Sequence, residues 1–281
     1  MTKILATDLD GTLFYPKRRL RLIPSKNVLF LQDFVDEGGR LVLVTGRSPS
    51  FATKVSQKIN RPFDVIGMNG AYTITNNKVV EEHFLALNLA SFIQEISDKY
   101  PIRGLMLISH DYPLLMTVPK NDFFVNMFYH LYYFVQGVYK EDYLNSTEVF
   151  NEQLESEQVY KMMFFFGVTK KKQNIAREAN KYIRKKYGDV IESSWTGGFI
   201  EITPHGCSKA NGITNYVKKQ KLNPDDVYVV GDSGNDISMF RAFHDKSFCM
   251  KHAPRRVRKH ARYHLRRFHH LRRYIMEEKN E

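Results

Sequence analysis

Four short apolar runs along the chain each end abruptly in polar or glycine-rich residues. Ile4, Leu5 and Ala6 lead into Asp8 and Asp10, and Leu41 to Val44 lead into Thr45, Gly46 and Arg47. Residues 64–71 read DVIGMNGA, and Val227 to Val230 lead into Gly231 and Asp232. Runs of this length without alternation are the pattern of strands buried on both faces. Between the first two, SKNVLFLQDFVDEGG sets Val28, Leu31, Phe34 and Val35 at helical spacing, with Gly38-Gly39 as a stop. Strand, helix, strand predicts a βαβ unit and a parallel sheet. Functional groups in such sheets collect at the carboxyl ends of the strands, where three of these four runs carry their unusual polar residues.

The middle of the chain has a different texture. ALNLASFIQEISDKY and KKKQNIAREANKYIRKKYG read as amphipathic helices, while LMLIS and YKMMFFFGV read as strands. Residues 123–143 are crowded with Phe and Tyr and read as core of this region. The expected fold is therefore α/β: a three-layer parallel-sheet core over residues 1–82 and 194–281, with an α+β insertion over 83–193.

Composition changes the picture only at one end. At 281 residues the chain suits one large or two modest domains, and 20 Phe and 16 Tyr supply too much apolar surface for disorder. The sequence offers no uncharged apolar stretch of about 18 residues, so a membrane span is not expected. The opening MTKILATDLDGTLF has acidic residues where a secretory leader needs apolar ones, and Cys207 and Cys249 suffice for no disulfide framework. A cytoplasmic location is expected. The net charge is +12, and residues 251–281 contribute +8 of it, with eleven Lys and Arg against three Glu. Five of the ten histidines lie there too.

Asp8 and Asp10 alone would suit a turn, the common use of aspartate in a D-x-D-G string. Asp232 and Asp236 change that, because GDSGND leaves another strand of the same sheet. Four converging carboxylates repel one another unless a cation sits among them, and oxygen-only donors favour a hard ion such as Mg²⁺. Thr45, Gly46 and Arg47 offer a hydroxyl and backbone N–H groups suited to phosphate oxygens. Lys209 supplies a mobile positive point charge where a helix begins. Nucleophile, metal, anion cradle and lysine together describe a phosphoryl-transfer site.

With these residues in place, the chain resembles the haloacid dehalogenase superfamily, and within it the Cof-type phosphatases of subfamily IIB with a C2 cap. The matching segments are DLDGTLF at 8–14, VTGRS at 44–48, Lys209, and GDSGNDISMF at 231–240, supported by MNGA at 68–71 and FIEITPHGCSKANGI at 199–213. The resemblance implies that Asp8 is the nucleophile forming an aspartyl-phosphate and Asp10 the general acid and base. It implies Mg²⁺ held by the Asp8 and Asp232 carboxylates and the Asp10 carbonyl. Leu9, Thr45, Gly46, Asn235 and Lys209 would hold or neutralise the phosphate, and Asp236 would orient Lys209 or the metal shell. Arg47 would contact substrate or form an ion pair near the site; Ser233 would cap a turn or touch the metal shell. The implied activity is hydrolysis of a small phosphomonoester, a sugar phosphate or related metabolite, under an insertion that acts as a specificity cap.

Two other readings remain open at this level: a phosphomutase returning the phosphoryl group to its substrate, and a binding or regulatory protein using the basic tail. That tail departs from the family pattern in RYHLRRFHHLRRYIMEEKNE. Val257, Ala261, Leu265, Phe268, Leu271 and Ile275 recur at helical spacing, which predicts a basic helix packed on the sheet. Any nucleic-acid binding by it would be nonspecific and salt-sensitive.

Overall fold

A computed structural model describes residues 2–17, 21–117 and 142–276. The chain forms two compact units, one from Met1–Glu82 with Ser208–Glu281 and the other from His83–Cys207.

The first unit is built on an eight-stranded sheet. Its strands are β1 (Ile4–Thr7), β2 (Arg40–Val44), β3 (Asp64–Gly67), β4 (Tyr72–Thr75) and β5 (Lys78–Glu82), then, after the second unit, three later strands. The second unit supplies β6 to β11, so these three are β12 (Val227–Gly231), β13 (Ser247–Met250) and β14 (Tyr263–Leu265). Their order is β14-β13-β12-β1-β2-β3-β4-β5. Pairing is parallel from β14 through β3, and antiparallel for β3-β4 and β4-β5. Helix α1 (Ser25–Asp36) connects β1 to β2, and α2 (Ser50–Ile59) connects β2 to β3, as the apolar spacing requires. Ile4, Ala6, Val42 and Val44 pack on one face with Ile213, Tyr216 and Met239. Leu5, Leu41 and Leu43 are equally buried, and strand alternation sends them to the face where α1 packs on β2. Burial on both faces is why these runs do not alternate.

The second unit carries a six-stranded sheet: β6 (Gly104–Ser109), β7 (Leu115–Thr117), β8 (Leu144–Asn145), β9 (Val159–Phe165), β10 (Ile191–Thr196) and β11 (Phe199–Pro204), in the order β10-β11-β9-β6-β7-β8. Its core joins Leu107, Met162, Phe164 and Ile200 to Phe92 of α3 (Leu89–Lys99), Phe150 of α4 (Thr147–Glu155) and Ile183 of α5 (Lys170–Tyr187). The aromatic segment 123–143 lies almost wholly outside the described residues.

Two expectations need correction. The return to the first unit falls at 207/208, not 193/194, because β10 and β11 belong to the second sheet. The alternation in FIEIT was the signal: Ile200 and Ile202 are fully buried while Glu201 is not, the period of an antiparallel strand with one covered face. Trp195 sits on β10, 38% exposed, with the Arg177 guanidinium 5.9 Å from its ring centroid. The tail is the second correction. All six apolar residues are buried, yet Val257 lies in a short helix (Arg255–Arg258), Ala261 in the bend that follows it, Leu265 in β14, Phe268 and Leu271 in a 3₁₀ turn, and Ile275 in a second short helix (Arg272–Ile275), not in one helix. A single helix would leave the edge of β13 unpaired; Tyr263–Leu265 instead pairs with it in parallel, Phe248 opposite Tyr263 and Met250 opposite Leu265.

Candidate active site

The site lies in the first unit, at the carboxyl ends of β1, β2 and β12. Asp8 leaves β1 with its N–H donating to the Val230 carbonyl of β12 (2.9 Å), which ties the two strand exits together. Residues Leu9–Leu13 then make one π-type turn, with the Phe14 N–H donating to the Leu9 carbonyl (3.0 Å). The turn is possible because Gly11 takes φ +78°, a left-handed backbone that costs glycine little. Glycine also leaves room, since a Cβ at position 11 would lie 2.3 Å from Asp232 Oδ2.

Lys209 opens helix α6 (Lys209–Lys219), whose first turn is capped by the Ser208 side chain accepting from the Asn211 N–H (3.1 Å). Its ammonium is fully buried and donates to Asp8 Oδ1 at 2.6 Å and Asp236 Oδ1 at 2.7 Å. The expected mobile charge is thus a fixed one. Burial would strip its proton, but the two carboxylates overrule that and hold its pKa above the ordinary lysine value. Asp236 has both oxygens engaged: Oδ2 accepts from the N–H groups of Asp232 and Ser233, each at 2.8 Å. It therefore acts on Lys209 and the turn after β12. Ser233 serves that same turn, its hydroxyl 3.1 Å from Asp236 Oδ2 and 2.5 Å from Asn235 Oδ1.

Asp8 Oδ2 is the exception: it is buried and, among the described residues, has no hydrogen-bond partner. Burial pushes the Asp8 carboxyl above the usual carboxylate range, against the pull of Lys209, with Asp236 and Asp232 adding repulsion. Asp232 is raised too, by burial and then by Asp236. Its Oδ1 accepts from the Thr12 hydroxyl (3.2 Å). Carboxylate oxygens of Asp8, Asp232 and Asp236 all lie within 4.8 Å of one another. Three carboxylates facing one ammonium leave surplus negative charge beside an unpartnered oxygen, and an all-oxygen donor set fits a hard divalent cation. With Asp236 engaged elsewhere, Asp8 and Asp232 are the side chains that could hold it.

Asp10 stands apart from this cluster. It meets Arg47 in a two-pronged ion pair, Nε to Oδ2 at 2.6 Å and an Nη to Oδ1 at 2.8 Å, with Lys17 at 3.4 Å. Burial would raise its carboxyl, but Arg47 and then Lys17 bring it below the usual value. Of the two readings of Arg47, this geometry is the ion pair. After β2, the Arg47 N–H donates to the Thr45 hydroxyl (3.1 Å), and Gly46 runs past the Asn69 amide, which a Cβ at position 46 would approach to 3.5 Å. Asn235 donates to Asn69 Oδ1 at 3.0 Å, joining the turns after β12 and β3. Leu9 opens the π-type turn between Asp8 and Asp10.

The sequence motifs assign no role of their own to Asn69, Thr12 or His252. Asn69 had a signal in MNGA: Met68, Asn69 and Gly70 all take positive φ, at 46°, 58° and 107°. Such a turn needs residues that tolerate the left-handed region. His252 places Nε2 3.5 Å from Asp232 Oδ2, and nothing local in SFCMKHA announces it.

Residues 5–267 match the model of a family described as haloacid dehalogenase-like hydrolase. The chain is similar to the pyridoxal phosphate phosphatase YbhA of Escherichia coli, 26% identical over 247 residues covering 86% of this chain and 85% of that protein. It is also similar to the 5-amino-6-(5-phospho-D-ribitylamino)uracil phosphatase YbjI of Escherichia coli, 24% identical over 263 residues covering 93% and 89%. A haloacid dehalogenase-like hydrolase from Bacteroides thetaiotaomicron shares the fold with a TM-score of 0.74 at 19% identity, over 94% of each chain.

Proposed function

From the premise that this chain belongs to the haloacid dehalogenase-like hydrolase family, we propose that it is a Mg²⁺-dependent phosphatase. Its substrates are small phosphomonoesters, sugar phosphates or related metabolites. The observation that carries this is the asymmetry of Asp8: Oδ1 is clamped by Lys209 while Oδ2 is buried without a partner among the described residues. A carboxylate fixed in that way presents one oxygen to phosphorus.

Asp8 Oδ2 attacks phosphorus, an O–P bond forms, and the bond to the leaving alkoxide breaks, giving an aspartyl-phosphate. Lys209 keeps the nucleophile oriented and offsets charge as the phosphoryl group arrives. The Thr45 hydroxyl and the N–H groups of Leu9 and Gly46, with Asn235, receive phosphate oxygens. Asp10 protonates the leaving oxygen, then takes a proton from the water that hydrolyses the intermediate. Arg47 holds Asp10 ionised in the resting site, so acid catalysis requires that ion pair to loosen as the dianionic substrate competes for the guanidinium. Mg²⁺ would be held by Asp8 and Asp232, where it would lower the repulsion between carboxylate and phosphate. The second unit serves as the specificity cap.

The test is a Mg²⁺-dependent screen for phosphate release from phosphorylated metabolites and a generic aryl phosphate, with Asp8→Asn as control. Release by the wild type and none by a folded Asp8→Asn is expected. Turnover retained in that variant sinks the mechanism, and transfer without phosphate release would make the protein a mutase.

A further inference from the structure

The four motifs leave the basic tail unexplained. In the first unit it helps to line a cleft of about 670 Å³, within the size range of small-molecule sites. Tyr15 comes from the end of the turn after β1, Lys26 from the first turn of α1, Lys251 and His252 from the loop after β13, and Arg266 and Arg267 from the loop after β14. The Lys251 N–H donates to the Leu265 carbonyl (2.7 Å), which sets these last two loops side by side. A smaller cavity of about 230 Å³ shares Tyr15, Lys26 and Arg267.

The cations here differ from others in the tail. Arg262 is paired with Asp245 (2.7 Å), and Arg272 with Asp33. Among the described residues, Lys26, Lys251, Arg266 and Arg267 have no carboxylate partner. His269 and His270 on the same wall are pushed down, by burial first and then by neighbouring cations including Lys26 and Arg267. Four uncompensated cations around one concavity repel each other, and a ligand carrying negative charge relieves that.

The cleft lies one side chain away from the catalytic cluster. The Arg267 guanidinium lies 5.4 Å from the Tyr15 ring centroid, and Tyr15 stacks on His252 at 3.9 Å and 23°. His252 in turn faces Asp232 Oδ2 at 3.5 Å. One imidazole separates the cleft from a carboxylate of the active site.

We propose that this cleft binds a second phosphate of the substrate, so that the preferred substrates are small metabolites bearing two phosphate groups, one cleaved at Asp8 and one held by Lys26, Lys251, Arg266 and Arg267. The proposal rests on the phosphatase reading. Its concave shape and size fit a small anion better than a nucleic-acid strand.

The experiment compares kcat/KM, with Mg²⁺, for a sugar bisphosphate and the matching monophosphate, in the wild type, in Arg266→Ala/Arg267→Ala, and in Lys251→Ala on the separate loop. The wild type favours the bisphosphate by a hundredfold or so, from at least two charge-assisted contacts worth roughly tenfold each. The double variant loses most of that ratio through KM, Lys251→Ala loses roughly tenfold, and Arg266→Lys/Arg267→Lys keeps more than the alanine pair. Lys251→Ala keeps the test alive if the double variant does not fold. If the wild type hydrolyses an aryl phosphate but shows no bisphosphate preference, or the variants leave the ratio unchanged, the cleft assignment is overturned and the phosphatase reading stands. If the wild type hydrolyses no phosphomonoester, the underlying reading has failed. Nucleic-acid retention that the double variant abolishes without moving the ratio would give the cleft to a different ligand and overturn the proposal.

Discussion

Replacing Gly11 with alanine separates backbone strain from damage to the carboxylate cluster. The new methyl would sit 2.3 Å from Asp232 Oδ2 and 2.6 Å from its Cγ, where ordinary contact begins near 3.4 Å. Either Asp232 or the turn must therefore move by about 1 Å, a displacement that costs on the order of a hundredfold when it misplaces a reacting group. A second cost comes from φ +78°, about 1–2 kcal/mol for a residue with a side chain. Gly38 supplies the control, because it has φ +87° with nothing among the described residues within 4 Å of its missing Cβ. Gly38→Ala should lose stability through strain and keep its turnover. Gly11→Ala should lose more stability than Gly38→Ala, because the clash adds to the strain, drop about a hundredfold in kcat/KM, and need more Mg²⁺ for half-maximal rate. The assays are thermal melts alongside Mg²⁺ titrations of phosphate release. If both variants turn over alike, the packing of Gly11 against Asp232 has no catalytic consequence and the reasoning is wrong.

Lys209→Met should destabilise the metal-free protein by about 3–5 kcal/mol in denaturant unfolding, because it strands two buried carboxylates, and a loss under 1 kcal/mol would contradict the buried-pair account. Arg47→Met should let Asp10 rise from its depressed pKa, moving the alkaline limb of kcat/KM to higher pH; an unmoved limb would mean Asp10 is not the acid. In the second unit, hydrogen bonds from Lys186, Tyr182 and Tyr187 hold Glu95 at about 2, against 4.5 for an ordinary glutamate. A depressed carboxyl contributes fully above its unfolded pKa and loses that contribution as pH falls through its folded one. Amide protection in α3 and α5, corrected for intrinsic exchange, should therefore fall between about pH 5 and 2, and Glu95→Gln should flatten that response.

The parallel sheet was legible because buried β-branched runs have few other uses, and the polar residues at their exits pointed to the site. Asp8, Asp232, Asp236 and Lys209 could be gathered on that logic, since sheet topology fixes where strand ends meet. Their division of labour could not. That Asp236 is consumed by Lys209 and two N–H groups, while Asp8 keeps a free oxygen, depends on ångström-scale placement that spacing does not encode. The tail misled for a different reason: residues buried at helical intervals can also come from a strand and short turns laid against a sheet edge. His252 reaches Asp232 only through the β13 loop, so no local pattern marked it.

The order of strands has a consequence for how the protein is made. β1 lies between β2 and β12, and Asp8 meets a lysine 201 residues further along the chain. At about 5–20 residues per second, β12 leaves the ribosome roughly 11 to 45 seconds after β1. During that interval the second unit, contiguous in sequence, can fold, while one flank of β1 stays open and its aspartate lacks a counter-charge. Unfinished chains therefore lack the assembled carboxylate–lysine cluster, and that open flank is an unpaired sheet edge until β12 arrives.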